Sequence, residues 1–449
     1  MAKYQKYAEY KDTGVEWLGE IPSHWEMWKL SHAYNEIGSG TTPSTSNEEN
    51  FEGDIPWVTT GELRENIILD TKKKVSQKTI ELFPTLRKYP SGSVAIAMYG
   101  ATIGRLGILG VEATTNQACC VMTTSKVLDN KYLFYWLQAF KNEIIQLSSG
   151  GGQPNINQEK VASLKISAPL VEDQVTIVNF LDHETAKIHS LISKQEKLIE
   201  LLKEKRQAVI SHAVTKGLNP NVPMKDSGVE WLGEVPEHWE LPKLFYITNR
   251  IGDGLHSTPI YQDGTGYYFI NGNNLVDGKI SIGETAKEVP ESEYIKHQVT
   301  LNKATVLLSI NGTIGKVALF DNEPVILGKS AAYINCQSNL SPGFLANFLT
   351  TSEAKKYYDL EVTGTTIFNL SLNSIRNMKI PLPPLDEQIQ ITAFVSKQFI
   401  KYENLINAAE KQNNLLQERR TALISAAVTG KIDVRNWQKP TEAKMEFSA

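Results

Sequence analysis

The chain has 449 residues, 41% hydrophobic and 21% charged, proportions typical of a folded globular protein with about two to four domains. Its net charge of −4 argues against a protein that is basic over its whole surface, although local patches could bind nucleic acid. No apolar run approaches the roughly 20 residues that span a bilayer, and residues 1–12 lack the apolar segment of a signal peptide. The 3 cysteines fit neither a disulfide framework nor a metal knuckle, so a reducing cytoplasm and no membrane association are expected.

An aromatic segment near the start of the chain occurs twice. Residues 12–26 (DTGVEWLGEIPSHWE) and 226–240 (DSGVEWLGEVPEHWE) differ only at Thr13/Ser227, Ile21/Val235 and Ser23/Glu237. The offset of 214 (228 − 14) that aligns Gly14 with Gly228 also aligns Gln174 with Gln388 and Asn155 with Asn369. The sequence therefore predicts two tandem copies of one module.

This aromatic segment is predicted to pack against another part of its module. Trp17, Ile21 and Trp25 supply apolar surface, while Gly14 and Gly19 exclude a long helix. We therefore interpret it as a docking segment at the entrance of a domain. A catalytic role for Glu16 or His24 within this segment is the less favoured reading.

Short β-prone runs follow in each module. In the first they are 55–59, 93–98 and 118–122, and a helix with a broad apolar face opens at 131–137. In the second module, runs with the same plan are 267–270, 305–310 and 344–349. Only patches of residues match, such as 99–105 with 311–316, which indicates one fold with two different surfaces.

Each module is predicted to end in a long helix, the first over about 172–213 and the second over about 386–429. Apolar residues at three- and four-residue spacing form one stripe on each helix. At roughly 1.5 Å per residue each helix is on the order of 60 Å long, and the two are expected to pair antiparallel because neither can bury its stripe alone. The predicted seam residues are Ile188, Leu191, Leu198, Leu202, Val209, Tyr402, Leu405, Leu416 and Leu423.

Sequence motifs for catalysis are missing. Gly328-Lys329-Ser330 lacks the upstream glycine of a phosphate-binding loop, and the run Gly38-Ser39-Gly40 continues to Pro43 where a dinucleotide site needs glycine. His183-Glu184 lacks the histidine spacing of a zinc protease, and no amino-methyltransferase motif is present. We therefore expect a non-catalytic chain without a metal site.

Polar, glycine-rich loops are the remaining candidates for a binding site, at matching places in both modules. Side chains of Asn, Gln, Arg, Ser and Thr can contact base edges, and lysines and loop amides suit phosphates, although a charge run is usually a solvated face. The candidate DNA-binding residues are Thr41, Thr42, Ser44, Arg64, Lys72, Lys73, Arg105, Asn116, Gln117, Gln153, His256, Ser257, Asn273, Asn274, Asn311, Lys316, Lys329 and Ser330.

The whole pattern resembles the specificity subunit of a type I restriction–modification system. The resemblance rests on the doubled Gly-Val-Glu-Trp-Leu-Gly-x-x-Pro-x-His-Trp-Glu segment and on the openings of the long helices from Pro169 to Gln174 and from Pro384 to Gln388. The Ala-x-Ile-Ser-x-Ala-Val-Thr helix ends at 208–215 and 422–429 complete it.

This resemblance implies an α+β fold with two tandem mixed α/β target-recognition domains, separated by two long antiparallel coiled-coil helices in a pseudo-twofold repeat. The implied domains are 1–168, the central helix 169–217, 218–383, the second helix 384–430 and a tail 431–449.

It also implies a non-catalytic chain that recognises a bipartite, asymmetric duplex DNA site within a multisubunit DNA methyltransferase and type I site-specific deoxyribonuclease. Two methyltransferase subunits and the restriction and translocase subunits are the implied partners. They would carry S-adenosylmethionine, ATP and Mg²⁺, while this chain binds no cofactor. The alternatives are a coiled-coil scaffold with two protein-binding modules and, less favoured, a self-contained methyltransferase-nuclease.

Overall fold

Residues 4–148, 155–283, 285–364 and 368–440 are described by the structure, a computed structural model. The chain divides into two units, Met1–Gln195 with Gln412–Ala449, and Glu196–Lys411. Both divisions fall within long helices. Each unit therefore combines one globular half of the chain with a part of each long helix, a grouping that differs from the linear division of the sequence at 168, 217, 383 and 430.

The first globular half and the helix that follows it contain the following elements. Its strands are β1 (Tyr10–Asp12), β2 (Glu20–Pro22), β3 (Glu26–Lys29), β4 (Ile37–Ser39), β5 (Ile55–Val58), β6 (Asn66–Ile68), β7 (Lys74–Val75), β8 (Val94–Ala97), β9 (Leu106–Leu109), β10 (Thr114–Thr115), β11 (Cys119–Met122) and β12 (Lys165–Ala168). Its helices are α1 (Leu30–Ala33), α2 (Gln77–Leu82), α3 (Asn130–Ala139), α4 (Lys141–Gln146), α5 (Gln158–Ser163) and the long α6 (Val171–Lys216). Side chains cap α2, α3 and α5 at their N-termini, as expected for Ser76, Asp129 and Asn157.

The second half repeats this order with fewer strands. They are β13 (Met224–Asp226), β14 (Glu234–Pro236), β15 (Thr248–Gly252), β16 (Tyr268–Ile270), β17 (Leu275–Val276), β18 (Lys279–Ile280), β19 (Lys287–Glu288), β20 (Thr305–Ser309), β21 (Val317–Leu319), β22 (Val325–Leu327) and β23 (Ala331–Cys336). The helices are α7 (Glu291–His297), α8 (Pro342–Leu349), α9 (Ser352–Glu361), α10 (Leu372–Asn377) and the long α11 (Leu385–Val428).

Besides two-stranded pairs, each half contains two sheets of three or more strands among the described residues. The larger has the order β4-β11-β8-β9-β6 in the first half and β15-β23-β20-β21 in the second. The smaller has the order β10-β5-β7 in the first and β19-β16-β22 in the second. Strands predicted at 55–59, 93–98, 118–122, 267–270 and 305–310 are confirmed, as are helices at 131–137 and 344–349. The mixed α/β fold of both modules is therefore confirmed.

The aromatic segments form matching hairpins, β1–β2 and β13–β14, with the same register. Trp25 and Trp239 are fully buried, and each lies against the C-terminal end of a long helix. In the first unit that end belongs to α11, since a Cβ added at Gly430 would lie 3.3 Å from the Trp25 ring. In the second it belongs to α6, since a Cβ added at Gly217 would lie 3.3 Å from the Trp239 ring. The predicted packing role of the segments is confirmed.

Two stretches far apart in sequence meet in the first unit. The Asp433 amide donates to the Gln5 carbonyl oxygen at 2.8 Å, and the Tyr10 hydroxyl donates to the Gly430 carbonyl oxygen at 2.9 Å. Arg435 stacks over the ring of Tyr7. In the second unit the corresponding stretch, from the end of α6 to β13, is continuous chain at 217–223.

The long helices run antiparallel within the second unit. Arg206 of α6 forms an ion pair with Glu403 of α11, and Lys203 lies 3.9 Å from Glu410. From Arg206 back to Lys203 on α6, the paired residue on α11 moves forward from Glu403 to Glu410, so the two helices run in opposite directions. Among the described residues, no helix is both long and apolar enough to cross a membrane.

Three of the nine predicted seam residues are exposed and six are buried or half-buried. Leu191, Leu198 and Leu405 are 47%, 44% and 44% exposed, whereas Ile188, Leu416 and Leu423 are buried and Leu202, Val209 and Tyr402 are half-buried. On α6, Ile192 and Ile199, each one residue after an exposed leucine, are half-buried, and so is Arg206. Because Arg206 is paired with Glu403, a charged residue occupies a position where the apolar pattern favours leucine.

A buried glutamine joins the first turn of each long helix to its globular half. The Gln174 amide oxygen accepts from the Asp129 amide at 2.8 Å, and its nitrogen donates to the carbonyl oxygens of Val127 and Pro169. Gln388 makes the same three bonds, accepting from the Ser341 amide at 2.8 Å and donating to Asn339 and Pro383. Both side chains are 0% exposed. The pairing of these glutamines in the sequence thus reflects one repeated structural device.

Candidate nucleic-acid interface

In the first half, parallel pairing brings the polar loops to one edge. β10 runs parallel to β5, so the loops that follow both strands leave from the same side. The Asn116 amide donates to the Val58 carbonyl oxygen at 2.9 Å, and the Thr41 amide donates to the Thr115 carbonyl oxygen at 3.0 Å. Three predicted loops, around Thr41, after β5 and around Asn116, therefore form one surface.

Gly40 is required where two of these loops meet. A Cβ at Gly40 would overlap the Thr115 carbonyl oxygen, and its counterpart Gly254 would overlap the Leu327 carbonyl oxygen. The close backbone approach therefore excludes any side chain at both positions. The residues that follow each glycine are held at equivalent places but differ in chemistry.

The loop between β5 and β6 borders an open cleft. The Glu62 carboxylate accepts from the Thr59 amide at 2.8 Å and from its hydroxyl, which closes the loop. The cleft has a volume of about 600 Å³, and Thr59, Arg64, Asn66 and Lys72 are among its lining residues. Arg64 is exposed and its Nε donates to the Gly61 carbonyl oxygen at 3.0 Å, so a cation stands at the mouth of the cleft.

The second half has the same arrangement. β22 runs parallel to β16, and the Gly328 amide donates to the Ile270 carbonyl oxygen at 2.8 Å. The Lys329 amide donates to the Leu255 carbonyl oxygen at 3.0 Å, and the Asn311 side chain donates to the Lys329 carbonyl oxygen at 3.3 Å. The loops that carry His256, Asn311 and Lys329 are thus brought together.

Most predicted candidates lie on these surfaces with their side chains accessible. Several are tied to a neighbour: Thr42 to Gln117, Ser44 to Ser46 and His256 to Asp253. The exposed candidates are Ser44, Arg64, Lys72, Lys73, Arg105, Gln117, His256, Ser257, Asn273 and Lys329, and the half-buried ones are Thr41, Thr42, Asn116, Asn311, Lys316 and Ser330. The Lys73 ammonium lies 4.6 Å from the centre of the Phe51 ring. Gln153 lies outside the described residues.

Asn274 does not belong to the set. Its side chain is 1% exposed, its amide oxygen accepts from the Asn271 amide at 2.9 Å, and its nitrogen donates to Thr285 and Ser281. The residue closes its loop as Glu62 closes the equivalent loop in the first half, so no part of its amide is left for a ligand. Ser330 is also engaged internally, donating to Asn271 and accepting from the Gly272 amide.

One polar cleft was missed by the sequence analysis. It has a volume of about 560 Å³ beside β15, and Phe245, Asn249, Arg250, Tyr333 and Arg376 are among its lining residues. The Arg376 guanidinium donates to the Ile251 carbonyl oxygen at 2.9 Å, and that of Arg250 lies over the Tyr333 ring. Arg250 and Arg376 are far apart in sequence and neither lies in a glycine-rich loop, so no local signal marked them.

Metal-binding clusters and accessible cysteines are absent from the described ranges. No group of three or more His, Cys, Asp or Glu residues there could hold a metal ion. Cys119, Cys120 and Cys336 are buried, and burial raises the pKa of the Cys120 and Cys336 thiols to about 12. A protonated, inaccessible thiol is not a nucleophile.

Comparison with known proteins agrees with this architecture. The family model "Type I restriction modification DNA specificity domain" matches residues 22–201 and 256–417. The type I restriction enzyme MjaVIII specificity subunit of Methanocaldococcus jannaschii is 25% identical over 425 residues, which cover 93% of this chain and 95% of the relative.

Two solved structures share the fold. One, described as the structural basis underlying complex assembly and conformational transition of the type I R-M system, has a TM-score of 0.71 at 17% identity and covers 92% of this chain and 99% of its own. The other is the HsdS subunit from Thermoanaerobacter tengcongensis, with a TM-score of 0.56 at 15% identity, covering 94% and 100%. With two family matches on a duplicated fold, the chain belongs to the type I restriction–modification DNA specificity subunit family.

Proposed function

We propose that the chain recognises a bipartite, asymmetric duplex DNA site, with one module on each half-site. The observation that carries the proposal is the pair of loops that begin at Gly40 and Gly254. Both are fixed on equivalent backbone by a glycine that tolerates no side chain, yet Thr41-Thr42-Pro43-Ser44 in one becomes Leu255-His256-Ser257-Thr258 in the other. A constant frame with exchanged polar side chains suits recognition of two different base sequences.

The chain has no catalytic role in this proposal. It positions methyltransferase subunits, two in the expected complex, and restriction and translocase subunits on the DNA. S-adenosylmethionine, ATP and Mg²⁺ belong to those partners, and none of them is held by this chain. The membership in the specificity-subunit family and the buried, protonated thiols support this division of labour.

The test is a segment exchange in the complete chain, co-expressed with its methyltransferase partners. Replacing residues 27–168 with the corresponding segment of a relative should change one half of the methylated motif and leave the other half intact. Replacing residues 241–383 is the matched control and should change only the other half. Methylation mapping of host DNA gives both results, and a change in both halves from either exchange would contradict the proposal.

Duplex binding by the complex should also weaken steeply with salt, because phosphate contacts release counterions. A chain that served only as a coiled-coil scaffold for proteins would show no such binding. Loss of this salt dependence in the intact complex would therefore favour the scaffold function.

A further inference from the structure

The turn that follows the central strand of the larger sheet is closed by the same pair of backbone hydrogen bonds in both modules, although it is one residue shorter in the second. After β8, the Ala97 amide donates to the Arg105 carbonyl oxygen at 2.8 Å, and the Gly104 amide donates back to the Ala97 carbonyl oxygen at 2.9 Å. After β20, the Ser309 amide donates to the Lys316 carbonyl oxygen at 2.8 Å, and the Gly315 amide donates to the Ser309 carbonyl oxygen at 3.1 Å.

The two turns also share a glycine at positive φ and a supporting backbone bridge. Gly104 and Gly315 have φ values of 75° and 89°, a region that other residues rarely adopt. Tyr99 bridges to Asn155 in the first turn, and Asn311 bridges to Asn369 in the second. The backbone that carries the residue after each glycine is therefore fixed in the same way in both modules.

That residue is a cation in both modules, Arg105 in one and Lys316 in the other. Arg105 is exposed and Lys316 is half-buried. Within 4–148, 155–283, 285–364 and 368–440, neither side chain forms an ion pair or a hydrogen bond, in contrast to Arg64 and Arg376, which are held by carbonyl oxygens. Two unneutralised cations thus stand at equivalent places on the loop-bearing edge.

What the two positions share is charge and not geometry. A guanidinium is a planar fork that suits two-point contact with guanine, whereas an ammonium is a compact point charge. The loops that differ most between the modules, at Thr42 and His256, are those expected to distinguish bases. The sugar-phosphate backbone is the part of duplex DNA that stays the same between two different half-sites.

We propose that Arg105 and Lys316 are equivalent phosphate anchors, one for each half-site, which hold the backbone without regard to base sequence. This inference rests on the proposed DNA-binding function. It assigns these two of the candidate residues to the sequence-independent part of binding and leaves base recognition to the exchanged loops.

The experiment compares R105Q, K316Q and the double variant, each as the full chain assembled with the methyltransferase subunits. Dissociation constants are measured from 50 to 200 mM salt on the cognate duplex and on duplexes with single base-pair changes. Removing one phosphate contact should lower the slope of log affinity against log salt by about 0.9. Over this fourfold salt range, the wild type should then lose about 3.5-fold more affinity than either single variant and about 12-fold more than the double variant.

Two further variants control for folding and for charge. R105K keeps the positive charge and should retain most of the wild-type slope. K126Q removes an exposed lysine beyond the other end of β11 and should leave the slope unchanged. Thermal unfolding should be the same for all variants, since Arg105 has no partner among the described residues to lose.

The outcomes distinguish failure of the phosphate-anchor inference from failure of the proposed DNA-binding function. Uniform weakening on every duplex with a reduced slope supports the phosphate anchors. An unchanged slope, or a loss confined to duplexes that carry one particular base pair, overturns them while the proposed function stands. If the wild-type complex shows no salt-dependent duplex binding, the proposed function itself fails.

Discussion

The buried glutamine at the start of α11 offers a sharp test of how the long helix is joined to its globular half. Gln388→Met keeps the length of the side chain but removes all three of its hydrogen bonds, to Ser341, Asn339 and Pro383. The bond to Pro383 is buried and those to Ser341 and Asn339 are partly buried, so each bond lost should cost about 1 kcal/mol. The free energy of unfolding should therefore fall by about 3 kcal/mol.

Thermal and local measurements should both detect the change. For a folding unit of 150–250 residues, a loss of about 3 kcal/mol corresponds to a fall in Tm of roughly 6–12 °C. Hydrogen exchange at the Ser341 amide should accelerate more than at amides in the middle of β20, because the lost acceptor is local. Gln174→Met should produce the same effect at the Asp129 amide, which has the equivalent bond.

Gln390→Met is the matched control, since Gln390 lies two residues further along the same helix and is exposed. Its effect should stay within about 0.5 kcal/mol. If Gln388→Met were as mild as Gln390→Met, with unchanged exchange at Ser341, the three bonds would not hold the helix and the reasoning would be refuted.

Three other outcomes are expected. Ile188→Ala should lower the free energy of unfolding in urea by about 2–5 kcal/mol because Ile188 is buried, whereas Leu191→Ala, at an exposed position, should lower it by under about 0.5 kcal/mol. Equal effects would mean that Leu191 belongs to the seam, as the sequence predicts. Gly40→Ala should disturb recognition of the first half-site only, as measured by methylation mapping, because the alanine Cβ would overlap the Thr115 carbonyl oxygen. Gly61→Ala should leave recognition of both half-sites intact, because its Cβ would meet only the Thr59 hydroxyl at 3.6 Å. At pH 8 the Cys120 and Cys336 thiols should resist alkylation in the folded protein, because burial raises their pKa to about 12 and the reactive thiolate is the main form only above that value. All 3 cysteines should react in urea, whereas fast labelling of the folded protein would contradict the burial.

The sequence predicted the fold well where a repeat or a period carried the information. The duplicated segments identified Trp25 and Trp239 as packing residues, and the long uninterrupted stripes gave α6 and α11 nearly to their ends. The seam failed at Leu191 and Leu198 because apolar residues occur on both sides of the true stripe. The burial of each residue and the ion pairs between the two helices, which depend on distant stretches of the chain, decide between the two frames.

The candidate interface shows the same limit. Glycine-rich polar loops were recognisable locally, and the parallel strands bring them together as needed. Asn274 could not be distinguished from Asn273 by composition, because its burial depends on bonds to Asn271, Ser281 and Thr285 within the folded loop. Arg250 and Arg376 meet only through tertiary structure, so their cleft left no pattern in the sequence.

The contact between Asp433 and Gln5 has a consequence for the order in which the protein can fold during synthesis. The second unit is one continuous stretch, Glu196–Lys411, so all of its parts are present once that stretch has left the ribosome. The first unit begins with residues made before the second unit, but it lacks the end of α11 and residues 430–437 until after Lys411 has been made. Until those residues are made, Trp25 lacks the turn at Gly430 that covers it in the folded protein. Bringing the two parts of the first unit together also closes a long loop of chain, which carries an entropic cost. The half of the protein that is synthesised first is thus the half that finishes folding last, and until then it exposes an apolar surface on which a chaperone could act.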